Sequence, residues 1–200
     1  MRADIAVEHG PRVAGRVPFA TGVERRVGEW IAPYSQASHL VRARDWLVHL
    51  RPDATLEMRL AALTHDIERM FAGGPVIDKA TCRWDDPDYL YAHASRSAGL
   101  VAKWLAEQGS LKESIHAEEL RRLITLHEFG GLDGADEVQA ADSLSNLETL
   151  RGVVRGWVTS GACSKAQAEA KHTYMARRIR LPEAARLAAP LLEAALSSLK

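Results

Sequence analysis

Apolar residues recur along most of this chain at steps of three and four, the period of helices that bury one face. Between positions 35 and 50 the stripe runs Leu40, Ala43, Leu47 and Leu50, with Ser35 placed to cap its start. A second stripe over 55–71 runs Leu56, Leu60, Leu63, Ile67 and then Met70 or Phe71, and Gly73-Gly74-Pro75 ends it. Further helices are predicted over 88–108, from 110 to 128, over 135–158, after Ser164, and from Pro182 to near 199. Ser110 to Glu113 and Ser164 to Gln167 have the spacing of capping boxes. Pro182 suits the first turn of the last helix. The alternation of a half-buried strand is absent. The pattern therefore predicts an all-α fold. One helical domain covers 22–200, preceded by a weakly ordered arm over 1–21 that holds Gly10-Pro11, Gly15 and Pro18.

Composition narrows the function classes. A chain of 200 residues suits one domain with its own core. Its 26 basic residues balance 26 acidic ones, so bulk charge predicts no general nucleic-acid binding. The two cysteines, Cys82 and Cys163, have no CxxC spacing and do not make a disulfide framework. No signal-peptide core and no apolar run of about 20 residues is visible, which predicts a soluble, cytoplasmic protein without a membrane partner. Oligomeric state is not legible.

Candidate chemistry lies in the histidines. Of eight, His39, His65, His93 and His127 sit inside strongly helical segments. His65 is followed by Asp66 at the end of the apolar run Leu60-Ala61-Ala62-Leu63. An aspartate there is costly unless it is paired or bound to a metal. Asp142 raises the same question among Gln139-Ala140-Ala141 and Leu144. Imidazole nitrogen with carboxylate oxygen suits a divalent transition metal. His116 has charged neighbours that mark a solvated face; His49 lies near a helix end, His9 in the arm and His172 beside Lys171, and none of these is assigned to the metal.

His39, the doublet His65-Asp66 and then Asp142, each on a predicted helix, resemble the H…HD…D pattern of the HD superfamily. The segments ALTHDIE and QAADSLSNLE resemble the helices that carry the doublet and the final aspartate. The resemblance covers about residues 30–180. It implies an HD-domain helical bundle in which His39, His65, Asp66 and Asp142 hold a divalent cation. Some HD proteins bind a second ion through two intervening histidines, which implies His93 and His127 here, with Asp66 bridging. The ion would be Mn, Fe, Co, Ni, Zn or Mg, in one or two copies. The activity implied is hydrolysis of a small phosphorylated molecule, a nucleotide among the options, with Asp66 at the catalytic centre. Two other functions stay open: an HD-type di-iron oxygenase that cleaves a C–C or C–P bond, and a non-catalytic nucleotide- or metal-binding module.

Second-tier candidates surround this set. Glu68, nearly one turn beyond His65, is placed to orient a water, or else to pair with a neighbouring arginine such as Arg69 or Arg42. Glu128 adjoins His127 and is expected to support it. Lys171, Tyr174 and Arg178 share one helix face and form a candidate phosphate clamp, against the plainer reading of a solvated charge run. The loop 73–87, with Asp78, Lys79, Arg83, Trp84 and Asp85-Asp86, is the candidate for substrate contacts.

Overall fold

The computed structural model describes residues 15–77, 81 and 83–200, and these contain nine α-helices and no strand. Asp78, Lys79 and Cys82 of the candidate loop, His9, and positions 1–14 of the expected arm lie outside the described residues. The helices are α1 (Gly22–Ile31), α2 (Ala37–Leu50), α3 (Leu56–Thr64), α4 (Pro87–Ala106), α5 (Ala117–Leu126), α6 (Ala135–Thr149), α7 (Arg151–Thr159), α8 (Lys165–Arg177) and α9 (Pro182–Ser197).

Helix α6 is the axis of the bundle. Ala140, Ala141, Leu144 and Leu147 are wholly buried, and so are the polar side chains of Ser143 and Ser145. Its most extensive neighbour is α2, and α3, α5, α8 and α9 pack around the remaining sides. A helix apolar or small all round belongs in the centre of a bundle. Polar groups there need partners from those neighbours, which makes α6 the natural place for a site.

Several helix ends follow local chemistry. Thr21 and Glu24 form a reciprocal capping box on α1, and Ser164 with Gln167 does the same on α8. Asp86 caps α4 ahead of Pro87. Other boundaries differ from the sequence pattern. Helix α2 starts after Gln36, without a side-chain cap at Ser35. The segment Gly109–Ser114 is a 3-10 turn and carries no capping box; α5 begins only after His116, whose N–H is taken by the Glu57 carboxylate at 2.9 Å. A break at Leu150 splits the expected 135–158 helix into α6 and α7.

The described part of the expected arm is tied down. Arg44 of α2 is buried and donates to the carbonyls of Val17 and Pro18, each at 2.9 Å. The same guanidinium pairs with the buried Glu24 carboxylate at 2.8 Å, which in turn accepts from the N–H groups of Ala20 and Thr21. Residues 17–21 thus complete the polar partnership of a buried ion pair.

His172 of α8 is also buried, and neither ring nitrogen has a hydrogen-bond partner among the described residues. Burial, helped by the charge of Lys171, pushes its pKa down to about 4, against about 6.5 in an unfolded chain. Between those values the unfolded chain takes up a proton that the fold refuses. The contribution to stability is therefore full above pH 6.5 and is lost as pH falls towards 4. His172→Leu is expected to gain about 3 kcal/mol on the wild type between pH 7 and pH 4. Urea unfolding at the two pH values measures this, and parallel pH dependence of the two proteins would contradict it.

Candidate metal centre

Two helices end at the centre, and both ends have the same construction. Helix α3 stops at Thr64, so His65 is its C-cap and Asp66 leads into a 3-10 turn over Ile67–Met70. Helix α5 stops at Leu126, with His127 as its C-cap. In each case the imidazole Nδ1 bonds back to a carbonyl three residues earlier: His65 to Ala62 at 3.0 Å and His127 to Ile124 at 2.7 Å. The bond to Ala62 serves a carbonyl near the helix end, where intrahelical donors run out, and the Ile124 carbonyl accepts from both the backbone N–H and the ring of His127. The two Nδ1 bonds also aim Nε2 away from the helix, at a point where the negative ends of two helix dipoles favour a cation.

Adjacent residues on an intact helix diverge by about 100°. The change from α3 to a 3-10 turn between His65 and Ile67 removes that constraint and lets the doublet serve one centre. His39 from α2, His93 from α4 and Asp142 from α6 complete the set. All four histidines are wholly buried, with Asp66 8 % and Asp142 4 % exposed. The ring centroids of His65 and His127 lie 4.9 Å apart, those of His39 and His65 5.4 Å, and those of His93 and His127 5.5 Å. His49 and His116 are exposed.

The protonation pattern of the four rings is fixed by their outer partners. The Nδ1 atoms of His65 and His127 donate to carbonyls, and that of His93 donates to the Glu68 carboxylate at 2.9 Å. Ser145 Oγ gives its own proton to the His39 carbonyl and so accepts from His39 Nδ1 at 2.9 Å. With every Nδ1 protonated, each neutral ring presents the lone pair of Nε2. All four Nε2 atoms are buried and none makes a hydrogen bond of acceptable geometry. Yet they face carboxylate oxygens. His39 and His65 lie 3.2 and 3.3 Å from Asp142 Oδ1, and His93 lies 2.8 Å from Asp66 Oδ1. Lone pairs this close to anionic oxygens repel unless a metal cation or a proton sits between them. The residues therefore fit a divalent metal.

The donors form overlapping groups. His39, His65 and Asp142 offer ligand atoms within 4.8 Å of one another, as do His65, Asp66 and His127, and also His93, His127 and Glu128. Glu128 faces inward, with Oε1 3.6 Å from His127 Nε2 and 3.8 Å from His93 Nε2. It stands as a donor in its own right, beyond the supporting role expected from its position in the sequence.

Charged groups of the protein itself also offset this anionic cluster. Burial of His65 lowers its pKa, but the Asp142 carboxylate more than reverses this and pushes it up to about 9. Burial would raise the Asp142 and Asp66 carboxyls. Arg178 and His65 hold the first well below the usual range, and Arg69 and His93 hold the second there.

Arg178 places one guanidinium nitrogen on Glu128 and another on Asp142, while its Nε donates to Ser143 Oγ at 2.8 Å. The expected clamp of Lys171, Tyr174 and Arg178 does reach the centre. Tyr174 stacks near both cations, 5.6 Å from Arg178 and 5.7 Å from Lys171. The fork of Arg178 is nevertheless committed to carboxylates. Lys171 makes no ion pair among the described residues, and burial lowers its pKa to about 8. It lines a cavity of about 80 Å³ whose walls include Asp66, Glu128, Gln36, Asn146 and Arg69. Arg69, expected only as a surface partner, joins Asp66 Oδ2 to the Tyr89 hydroxyl, each at 3.0 Å.

Glu68 differs from the water-orienting acid expected of it. Its side chain is 2 % exposed and lies behind His93, where its backbone N–H also meets Ser97 Oγ at 3.3 Å. A Cβ at Gly74 would overlap the Glu68 carboxylate, so a larger residue there would push Glu68 from its place beside His93. Glu68 acts on His93 and not on the cavity. Glu68→Ala is expected to weaken Mn²⁺ or Co²⁺ affinity by about 10–100-fold. Glu68→Gln should recover most of that loss, because an amide oxygen still accepts from Nδ1. Calorimetric titration of metal-stripped protein checks both, and an alanine variant that binds like the wild type would contradict the assignment.

No family model, curated protein or solved structure matches this chain.

Proposed function

We propose that this chain is an HD-type metal-dependent phosphohydrolase with a centre able to hold two divalent ions. One observation carries the reading: four buried imidazoles, each with Nδ1 committed as a donor, turn unpartnered Nε2 atoms onto the carboxylates of Asp66, Asp142 and Glu128. His39, His65, Asp66 and Asp142 would hold one ion, and His93, His127 and Glu128, with Asp66 between, the other. A bound ion of this kind polarises a phosphoryl oxygen and brings the pKa of a coordinated water towards neutrality.

The chain's own residues supply the rest. Lys171, a cation without an ion pair among the described residues, stands beside the acidic cluster and binds the phosphoryl group. Arg69, which lines the same cavity, adds a second charge while its bond to Asp66 keeps that carboxylate oriented. Glu68, Ser145 and the carbonyls of Ala62 and Ile124 keep the four imidazoles in one tautomer. Arg178 holds Glu128 and Asp142 in place and offsets their mutual repulsion.

The test is phosphate release from a broad panel of phosphomonoesters by metal-stripped protein and by the same protein reloaded with Mn²⁺, Co²⁺, Fe²⁺, Zn²⁺, Ni²⁺ or Mg²⁺. Release that depends on the ion supports the reading, and stoichiometric metal binding with no release from any ester contradicts it. The convergence of six histidine and aspartate donors also supports a second reading, an HD-type di-iron oxygenase. Bound iron with O₂-dependent turnover and no phosphate release would favour it.

A further inference from the structure

A second chamber opens beside the metal centre. It has a volume of about 260 Å³ and shares Arg69, Ile77, Trp84, Tyr89 and Trp157 with the small cavity over Asp66 and Glu128. Beyond that shared wall it is lined by Pro75, Val76, Ala162 and Cys163. We propose that this chamber binds the alcohol half of a phosphomonoester, and that the alcohol it takes is apolar and ring-bearing. The inference rests on the phosphohydrolase reading of the adjoining centre.

Size and charge divide the two chambers. The inner one, about 80 Å³, has room for a phosphoryl group and little more, and it holds Lys171, which makes no ion pair among the described residues. The outer one is about three times larger and has space for one or two rings. Its aromatic side is set in advance. Trp84 and Trp157 stack with centroids 5.6 Å apart and planes 12° from parallel. Trp84 is anchored by its N–H, which donates to the Gln167 carbonyl at 2.9 Å. The Tyr89 oxygen accepts from Arg69. The ammonium of Lys171 stands 5.6 Å from the Trp84 ring, so the cation marks the junction where phosphate ends and the apolar group begins.

These commitments decide which alcohol fits. With the Trp84 N–H already used, the described lining beyond Arg69 and Tyr89 is mainly carbon. A ring gains by leaving water against Trp157, Pro75 and Ala162. A ribose or other sugar would have to shed the water on its hydroxyls without replacement partners, which costs affinity. Chamber and centre together therefore select a phosphomonoester of an apolar aromatic alcohol over a nucleotide.

The experiment measures binding of non-hydrolysable phosphonates to the metal-loaded protein by calorimetry. The probes are methylphosphonate, 1-naphthylmethylphosphonate and the phosphonate analogue of adenosine monophosphate. The naphthyl probe is expected to bind at least about tenfold tighter than methylphosphonate, and tighter than the adenosine analogue. Ala162→Phe, which fills the outer chamber without opening the core, should erase that preference while methylphosphonate affinity stays within about twofold, since Ala162 lines only that chamber. Trp157→Ala, at the wall the two chambers share, should lower naphthyl affinity more than methylphosphonate affinity and guards against a folding defect in the first variant. Equal affinity for the naphthyl and methyl probes, or tightest binding of the adenosine analogue, overturns the proposal. Phosphate release from 1-naphthyl phosphate is followed separately. Tight naphthyl binding with no release from any ester would uphold the chamber's preference and reject the hydrolase reading. Release from small esters with no naphthyl preference would do the reverse.

Discussion

Asp66→Ala is expected to lose at least about a thousandfold in phosphate release, equivalent to about 4 kcal/mol of barrier. Asp66 stands in the middle of the three overlapping donor groups. One oxygen faces His93 Nε2 at 2.8 Å and the other is held by Arg69 at 3.0 Å. It belongs to the group with His65 and His127, so on the proposed two-ion reading its removal would take away a donor from the group that joins the other two. The loss should appear in bound metal as well as in turnover, which separates it from a defect in substrate binding. The fold should survive. Asp66 lies at the C-terminal end of α3 beside the partly exposed Arg69 and is not part of the apolar core. Circular dichroism and metal content on the same sample check this. A folded variant with full metal and unchanged release would remove Asp66 from the centre.

Arg44→Met is expected to destabilise the protein by about 3–5 kcal/mol while leaving metal stoichiometry unchanged. Arg44 is 1 % exposed and Glu24 is wholly buried, so removing the guanidinium strands a carboxylate inside the fold. It also strips the carbonyls of Val17 and Pro18 of their donor. In a domain of this size the melting temperature should fall on the order of 10 °C. Adding Glu24→Gln to the same chain should recover part of the loss, because the stranded charge is gone. Melting curves for the two single variants and the double variant measure the coupling. Additive losses would show that Glu24 and Arg44 act independently.

Much of the fold was legible because helix period is written into nearly every segment. What period alone does not carry is where a helix breaks. The stripe of α3 continues through Ile67 and Met70, so nothing in it reveals that the helix stops at Thr64. The same holds at Leu150, where the apolar spacing runs on while the chain turns into α7. At Ser110 the capping spacing is present, but Glu57 of another helix takes the N–H of His116 and the true start falls later.

The candidate site divides in the same way. The histidines and aspartates stand out by residue type on apolar helices, and the structure brings His39, His65, Asp66, His93, His127 and Asp142 into overlapping buried groups. Roles that depend on partners distant in sequence were not legible. The charges of Arg178 suggested phosphate, whereas Glu128 and Asp142 occupy its fork. Glu68 suggested water chemistry, whereas the ring of His93 stands between it and the cavity. Nothing local marks Trp157 as a cavity wall or joins Glu24 to Arg44.

The most direct measurement is metal content by elemental mass spectrometry, on protein purified without chelator and saturated with each candidate ion, beside the His93→Ala/His127→Ala variant. The account predicts about two divalent ions per chain, falling to about one in the variant. Less than about a tenth of an ion per chain with every metal, in wild type and variant alike, would contradict a metal centre built from these residues.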